Sequence, residues 1–494
     1  MNQQNIRLSR WFHVLIKSTR TRKLTILRSN LISGAAQGAR AATLQTSQSP
    51  KYPKIVVTPP GPKAREIVKE DQSLISHSLV RFYPLVAESG KGSIIKDVDG
   101  NEFIDFNSGL VCLAVGHAHP KVVAAIKTQA DKFTHYSYTD FYYEKIVQIS
   151  KELTKITPGS FPKKVFLSNS GTEAIEAAMK LAKWHTRKHS FISFIGAFHG
   201  RTLGSLSLTA SKPRQRKHFF PMVPGDVHVP FAYCYRCPFK LEYPECGMYC
   251  VDFIQEQVLD TYLPAEDTAA LFAEPIQGEG GYVVPPDDYF KRLKKLTDKN
   301  DILFVDDEVQ AGMGRTGRWF GIEHWGIEPD IVTTSKALAS GLPIGATIAR
   351  EELMDWEGGA HANTFGGNPI SCAAAIETIH AIRDEHLLEN ATREGNHIMK
   401  RLKEMQEKYP IIGDVRGKGL MIGAEIVKDP KTKEFGETEA HDIMMKSFHQ
   451  GLAVITCGHS TLRIAPPLII TRDLVDSGLD ILEGAVKEVS KSTH

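Results

Sequence analysis

The sequence predicts an α/β fold built on an open, mostly parallel, doubly wound sheet. Two observations carry this expectation. Several short β-type runs end in residues able to do chemistry. Between two of them, Tyr289 to Thr297 places apolar residues at Phe290, Leu293 and Leu296, the spacing of an amphipathic crossover helix. Strand, helix, strand with polar residues at the strand ends is the order such a sheet requires, and its ligands lie beyond the carboxyl ends of the strands.

The stretch from Asp301 to Gly341 shows the pattern best. A strand ends in Asp306-Asp307-Glu308, a glycine-rich loop follows, and a second strand, Asp330 to Thr334, runs into Ser335-Lys336. Asp307 and Lys336 then face one crevice. A buried carboxylate beside a buried amine suits pyridoxal phosphate: the lysine forms a Schiff base, and the acid keeps the pyridine nitrogen protonated as an electron sink.

Length and composition set the outer bounds. The 494 residues allow a large core and about two to three domains. A hydrophobic fraction of 42% and a charged fraction of 24% are ordinary for a globular enzyme. No apolar run approaches the ~18 residues of a membrane span. The formal net charge of +3 conceals an asymmetry. Residues 1–65 hold 12 of the 60 Lys and Arg and none of the 57 Asp and Glu, so the remainder carries 48 basic against 57 acidic residues. A mildly acidic body is a poor binder of polyanions, which argues against nucleic acid as a partner.

Along the chain, residues 1–50 read as a disordered or targeting extension. They are rich in Arg and Ser/Thr, free of acids, and can be written as a basic amphipathic helix. The expected location is cytoplasmic, or the mitochondrial matrix if this segment is a transit peptide. Gly92 to Phe106 reads as a hairpin around Asp99-Gly100. A helix is expected over Glu144 to Thr154. Val165 to Leu167 is β-type and breaks at Ser168-Asn169-Ser170-Gly171-Thr172 into a helix with Ala174, Ala177, Ala178, Leu181 and Ala182 on its apolar side. A strand, a Gly/Ser/Thr turn and a helix start can bind an anion through free backbone N–H groups, or can be a simple cap. A further strand, Phe191 to Ile195, leads into Gly196-Ala197-Phe198-His199-Gly200-Arg201-Thr202, and Leu271 to Gly281 holds Glu274 and Glu279.

These motifs together resemble the class III aminotransferases of the 4-aminobutyrate, ornithine and acetylornithine type, through Asp307-Glu308-Val309-Gln310, Ser335-Lys336, the Gly-Ala-Phe-His-Gly-Arg-Thr run, Asn363-Thr364-Phe365-Gly366-Gly367-Asn368-Pro369 and Arg463-Ile464-Ala465-Pro466-Pro467. The resemblance covers nearly everything after about residue 52. It implies the pyridoxal-phosphate-dependent transferase fold of type I, with a smaller α+β domain. Residues 51–112 would be the N-terminal segment of that small domain, 113–370 the large cofactor-binding domain and 371–494 the C-terminal small domain.

The resemblance also implies roles. Lys336 and Asp307 are the catalytic pair. Ser170, Gly171 and Thr172 bind the cofactor phosphate, joined by Thr364 from a neighbouring subunit, which makes the active unit a homodimer or higher. Phe198 stacks on the ring, His199 belongs to the same cofactor set, Val309 packs under the ring and Gln310 reaches its phenolic oxygen. Arg201 takes a distal substrate carboxylate and Arg463 the α-carboxylate, with Glu274 or Glu279 neutralising Arg463 when it is unused. Phe82 and Leu110 stand where ornithine-specific relatives carry tyrosines, which turns the expectation from ornithine towards 4-aminobutyrate, with 2-oxoglutarate as acceptor. The alternative is an amino-acid racemase or epimerase, whose members are similar in having an aspartate where this chain has Glu279.

One motif stands outside this scheme. Cys234, Cys237, Cys246 and Cys250 fall within 17 residues. Four such thiols are candidate ligands for tetrahedral zinc or an iron–sulfur cluster, but their spacing fits no standard zinc finger, and the expectation is no metal, with free thiols or disulfides in a surface loop. The cofactor expected is pyridoxal phosphate alone, the partners are small amino and oxo acids, and neither a membrane nor nucleic acid is expected.

Overall fold

The computed structural model describes residues 51–492, so the expected extension 1–50 lies outside the described residues. Strands β1 (Ala87–Lys91), β2 (Ile94–Asp97) and β3 (Glu102–Asp105) open the chain. The hairpin between β2 and β3 turns at Asp99-Gly100: Gly100 has φ +93°, a value that favours glycine. Asp97 accepts the backbone N–H groups of Asp99 and Asn101, which closes the turn.

A seven-stranded sheet follows, made from β4 (Lys163–Ser168), β5 (Ser190–Phe194), β6 (Asp226–Val229), β7 (Thr268–Ala273), β8 (Leu303–Asp307), β9 (Ile331–Thr334) and β10 (Gly345–Arg350). Their spatial order is β4-β10-β9-β8-β7-β5-β6. The five strands from β9 to β6 run parallel, and β10 lies antiparallel between β4 and β9. Period-two alternation on β8 explains the double winding. Phe304 joins the core cluster that includes Phe290, Leu293 and Leu296 of the helix Tyr289–Lys299. Val305 joins the opposite cluster with Ile175, Ala178 and Leu181 of the helix Gly171–Thr186. Each face of the sheet is therefore covered by a helix, as a parallel sheet with apolar residues on both sides demands.

The same alternation sorts the acids at the end of β8. Asp307 follows Val305 onto the side of the helix Gly171–Thr186, whereas Asp306 and Glu308 follow Phe304 to the other side.

The C-terminal part forms a four-stranded sheet from β11 (Ile412–Lys418) and β12 (Met421–Ile426), with β14 (Ile455–Cys457) and β15 (Thr461–Ile464), while β13 (Leu452–Ala453) pairs in parallel with β3. The N-terminal hairpin is thus joined to a C-terminal strand. The buried Arg315, in the loop after β8, donates to the carbonyls of Leu420 and Pro466, tying the large sheet's strand-end loop to the C-terminal part. No helix among the described residues is long and apolar enough to cross a membrane.

The long helix Leu387–Lys408 packs on β11 through a close approach at Gly395, where an added Cβ would lie 2.1 Å from the Gly419 carbonyl oxygen. Neither backbone can yield cheaply. Gly395→Ala is expected to destabilise the fold by about 1–3 kcal/mol, seen as a lower midpoint in urea unfolding.

Candidate active site

β8 and β9 are parallel neighbours with Asp307 level with Thr333, so the end of β8 and the turn into Lys336 lie side by side. Asp307 is buried and its Oδ2 lies 2.7 Å from Nδ1 of His199, itself fully enclosed. Val309 donates its backbone N–H to Oδ1 of Asp307 at 3.0 Å. Burial alone would lower the His199 pKa, but the hydrogen bond and charge of Asp307 outweigh it and the net shift is upward. Lys336 is half-buried, and its amine has no hydrogen-bond or ion-pair partner among the described residues.

The helix Gly171–Thr186 begins beside these groups. Ser170 caps it, its hydroxyl accepting from Glu173 N–H. The N–H groups of the first turn have no partner inside the helix and point out of its end. A Cβ at Gly171 would meet Val309 at 2.8 Å, so glycine alone lets this turn sit against the segment after β8. The Thr172 hydroxyl lies 2.8 Å from that of Thr202, next to Arg201. Phe198 is half-buried under the Arg201 guanidinium, 5.4 Å away, and Arg201 itself is exposed.

The arrangement fits a flat, phosphorylated, basic heterocycle. Gln310 is buried with its Oε1 lacking any partner, an unusual state that a bound polar group would relieve. A free amine, a buried anion, an aromatic face and a helix start converge on one region, and the Gly171 cradle would close if a side chain were added. Thr364 lies on an exposed loop held by Asn363, which donates to the Leu167 carbonyl and accepts from Gly366 N–H. Phe82 is 39% exposed.

The two glutamates after β7 separate in role. Glu274 accepts the backbone N–H groups of Phe198 at 2.9 Å and Gly278 at 2.8 Å, so it holds the Phe198 loop against the strand end. Burial raises its pKa to about 7, His199 opposing and Asp307 adding to the rise. Glu279 instead bridges two cations: Arg463 Nη2 at 2.6 Å and Lys212 Nζ at 2.8 Å. Burial works to raise its pKa, but Arg463 and then Lys212 hold the carboxyl down at about 2. Arg463 is 2% exposed and sits 5.4 Å from the ring of the buried Tyr282.

With this geometry in place, the relatives fall into order. The aminotransferase class-III family model matches residues 75–486. The chain belongs to the class III aminotransferase family. It is an enzyme that depends on pyridoxal phosphate, with the type I fold. It is 40% identical over 448 residues, covering 89% of this chain and 93% of the relative, to the alanine/serine racemase of Pyrococcus horikoshii. It is 37% identical over 446 residues, 87% of this chain and 97% of the relative, to the 4-aminobutyrate aminotransferase of Mycobacterium leprae. Among solved structures it resembles the pyridoxal-phosphate-bound amine transaminase of an uncultivated Pseudomonas species, with a TM-score of 0.77 and 29% identity over 84% of this chain and 97% of that one.

The cysteine loop lies outside this class III site. Cys234, Cys237, Cys246 and Cys250 line one cavity with Phe239 and Met248, and all four are free thiols. Burial, reinforced by the neighbouring thiols, pushes Cys234 up to about 11 and Cys250 to about 12. Among the described residues no three His, Cys, Asp or Glu side chains are grouped to hold a metal ion.

Sequence reasoning missed Lys212 and Tyr282. Lys212 sits in an unremarkable basic run, and nothing local announces that it meets Glu279, 67 residues on. Because the folded Glu279 pKa is depressed, the carboxyl contributes stability above its ordinary value of 4.5, and this is lost as pH falls towards about 2. Glu279→Gln is therefore expected to be less stable than the wild type at pH 6, with the gap shrinking steadily below pH 4.5. Urea unfolding across that range measures it.

Proposed function

We propose that this enzyme transfers the amino group of a single-carboxylate ω-amino acid, of the 4-aminobutyrate class, to 2-oxoglutarate. One observation carries the reading: Glu279 sits on Arg463 with Lys212 behind it. A dicarboxylate needs two cationic anchors and a monocarboxylate needs one. An unpaired buried guanidinium costs about 3–5 kcal/mol, so a site serving both must supply a partner for the unused one. Glu279 does this for Arg463 when the donor lacks an α-carboxylate. When 2-oxoglutarate or glutamate binds, Arg463 takes the α-carboxylate, Arg201 takes the distal one, and Glu279 keeps Lys212.

Pyridoxal phosphate, when bound, supplies the electron sink for breaking a bond at the amino-bearing carbon. Lys336 holds the cofactor and then carries the proton at that carbon. Asp307, steadied by His199, keeps the proton on the ring nitrogen. Ser170, Gly171 and Thr172 bind the phosphate, Phe198 and Val309 flank the ring, and Gln310 serves its phenolic oxygen.

Thr364 completes the phosphate site of a second copy, which makes the enzyme a homodimer. Apolar side chains left exposed on and near its loop support this: Phe365 packs at 5.1 Å on His135, and Tyr136 packs at 4.3 Å on Phe141. In the same reading residues 113–370 are the large domain, and 51–112 join 371–494 as the small one; the pairing of β3 with β13 supports that division.

Racemisation is the second reading, favoured by relatives whose names are racemases. It requires an acid/base group on each face of the substrate carbon. Glu279, drawn down to about 2 by its two cations, is poorly suited to exchange that proton near neutral pH. Two measurements test the proposal. The enzyme is expected to convert 4-aminobutyrate and 2-oxoglutarate to glutamate, with Lys336→Ala slower by about 10⁴-fold. Chiral chromatography of L-alanine or L-leucine incubated without an oxo acid is expected to show no inversion; rapid inversion would replace transamination by racemisation.

A further inference from the structure

Three residues of the small sheet stand in one lateral row. Arg416 on β11 pairs with Gly423 on β12, and Gly423 pairs with Arg463 on β15. Residues directly opposite in antiparallel strands project from the same face. The row therefore presents two guanidiniums with a bare position between them. The segment Gly281-Tyr282 lies over that gap: a Cβ at Gly423 would come within 3.1 Å of Tyr282 Cβ.

Both arginines hold this one segment. Arg463 grips it through the Glu279 carboxylate at 2.6 Å. Arg416 grips it through main-chain carbonyls, Nη2 donating to Gly281 O at 2.6 Å and Nε to Tyr282 O at 3.1 Å. Nη2 also reaches the Thr461 hydroxyl at 3.3 Å, two residues before Arg463 on the same strand. Gly281 has φ +123°, and a Cβ there would press on Nη2 at 3.3 Å, so glycine is what admits the guanidinium. Arg416 is fixed in turn by Asp414 at 2.6 Å and Glu425 at 2.8 Å. Its charge is thus matched without Glu279, and its fork is free to act as a strut.

From this we propose that Arg416 is a positioning residue that sets how firmly Glu279 closes on Arg463, and so sets the enzyme's preference between substrates with one and two carboxylates. The proposal rests on the transaminase reading above. A strut that fixes Gly281 and Tyr282 to the strand carrying Arg463 holds the two halves of the Glu279–Arg463 pair at a set separation. Without it the segment relaxes, Glu279 closes less well, and Arg463 is left charged and unpaired whenever the ligand has no α-carboxylate. Ligands with two carboxylates supply that partner themselves and suffer less.

The test uses the cofactor-loaded enzyme with Arg416→Lys, which keeps the charge facing Asp414 and Glu425 but cannot span two carbonyls, and with Thr461→Val, which removes only the hydroxyl link. In Arg416→Lys, kcat/KM for 4-aminobutyrate relative to L-glutamate is expected to fall by about tenfold, and in Thr461→Val by about twofold. Calorimetry with two unreactive probes, butyrate and glutarate, is expected to show the same shift in relative affinity without turnover. If both folded variants keep the wild-type ratios, or lower the two substrates by one common factor, Arg416 is a stabilising residue only and the proposal falls. Should Arg416→Lys not fold, the Thr461→Val ratios decide. A wild type that turns over glutamate but no donor lacking an α-carboxylate would overturn the ω-amino-acid reading itself, and this proposal with it.

Discussion

The site depends on giving one of the buried acids at the end of β8 a partner, and that one is Asp307. Three acids stand there in succession, Asp306, Asp307 and Glu308, all of them buried. Strand alternation sends the middle one to the face where His199 waits and its neighbours to the other face, where neither forms an ion pair among the described residues. Asp307 has a hydrogen-bonded imidazole at 2.7 Å. Burial, reinforced by each other's charge, lifts the Asp306 carboxyl well above its usual range, and burial lifts Glu308 to about 8. A buried carboxylate persists only where a partner offsets its desolvation.

The second constraint is the same physics with the sign reversed. Arg463 is a buried cation, and its carboxylate partner comes from a loop rather than from its own sheet. A loop can be moved at less cost than a strand, so this pair can be broken and remade more readily than one within the sheet. The Tyr282 backbone, at φ +54°, is unusual for a bulky residue. Its carbonyl is one of the two held by Arg416, which steadies a turn that would otherwise relax.

The grouping of strand-end residues was legible in the sequence because its patterns are local. Strand ends, a glycine-bearing helix start and a lysine after a β-run are short patterns, and the fold brings Asp307, His199, Lys336 and the Ser170 turn to the carboxyl-end side of the large sheet. Gly171 shows why the pattern takes that form, since Val309 occupies the space of any side chain there. The residues that follow β7 were less legible. Glu274 and Glu279, five residues apart, could not be assigned from sequence; one accepts two backbone N–H groups and the other meets an arginine 184 residues away. Arg416 gave no signal either, because its partners are main-chain carbonyls 134 and 135 residues distant. Long-range pairing of this kind depends on how the two sheets face each other, which no local pattern encodes. β10 is similar: its antiparallel placement between β4 and β9 is a property of the closed sheet, not of its six residues.

Relatedness alone does not choose the reaction. The racemases stand at 40% and 42% identity and the 4-aminobutyrate aminotransferases at 37%, differences too small to rank activities that share a cofactor and a lysine. In the proposed transamination the residue at position 279 has a different duty from the one racemisation would give it. A racemase base must give up and regain a proton at the substrate carbon, which requires a proton affinity within reach of neutral pH. A gate must stay charged throughout, because its task is to neutralise an arginine. Two cations at hydrogen-bonding distance hold the Glu279 carboxyl down at about 2, which supports the gate of the proposed transamination over the base of a racemase. The extra methylene of glutamate over aspartate acts in the same direction, giving the carboxylate the reach to span Lys212 and Arg463 at once.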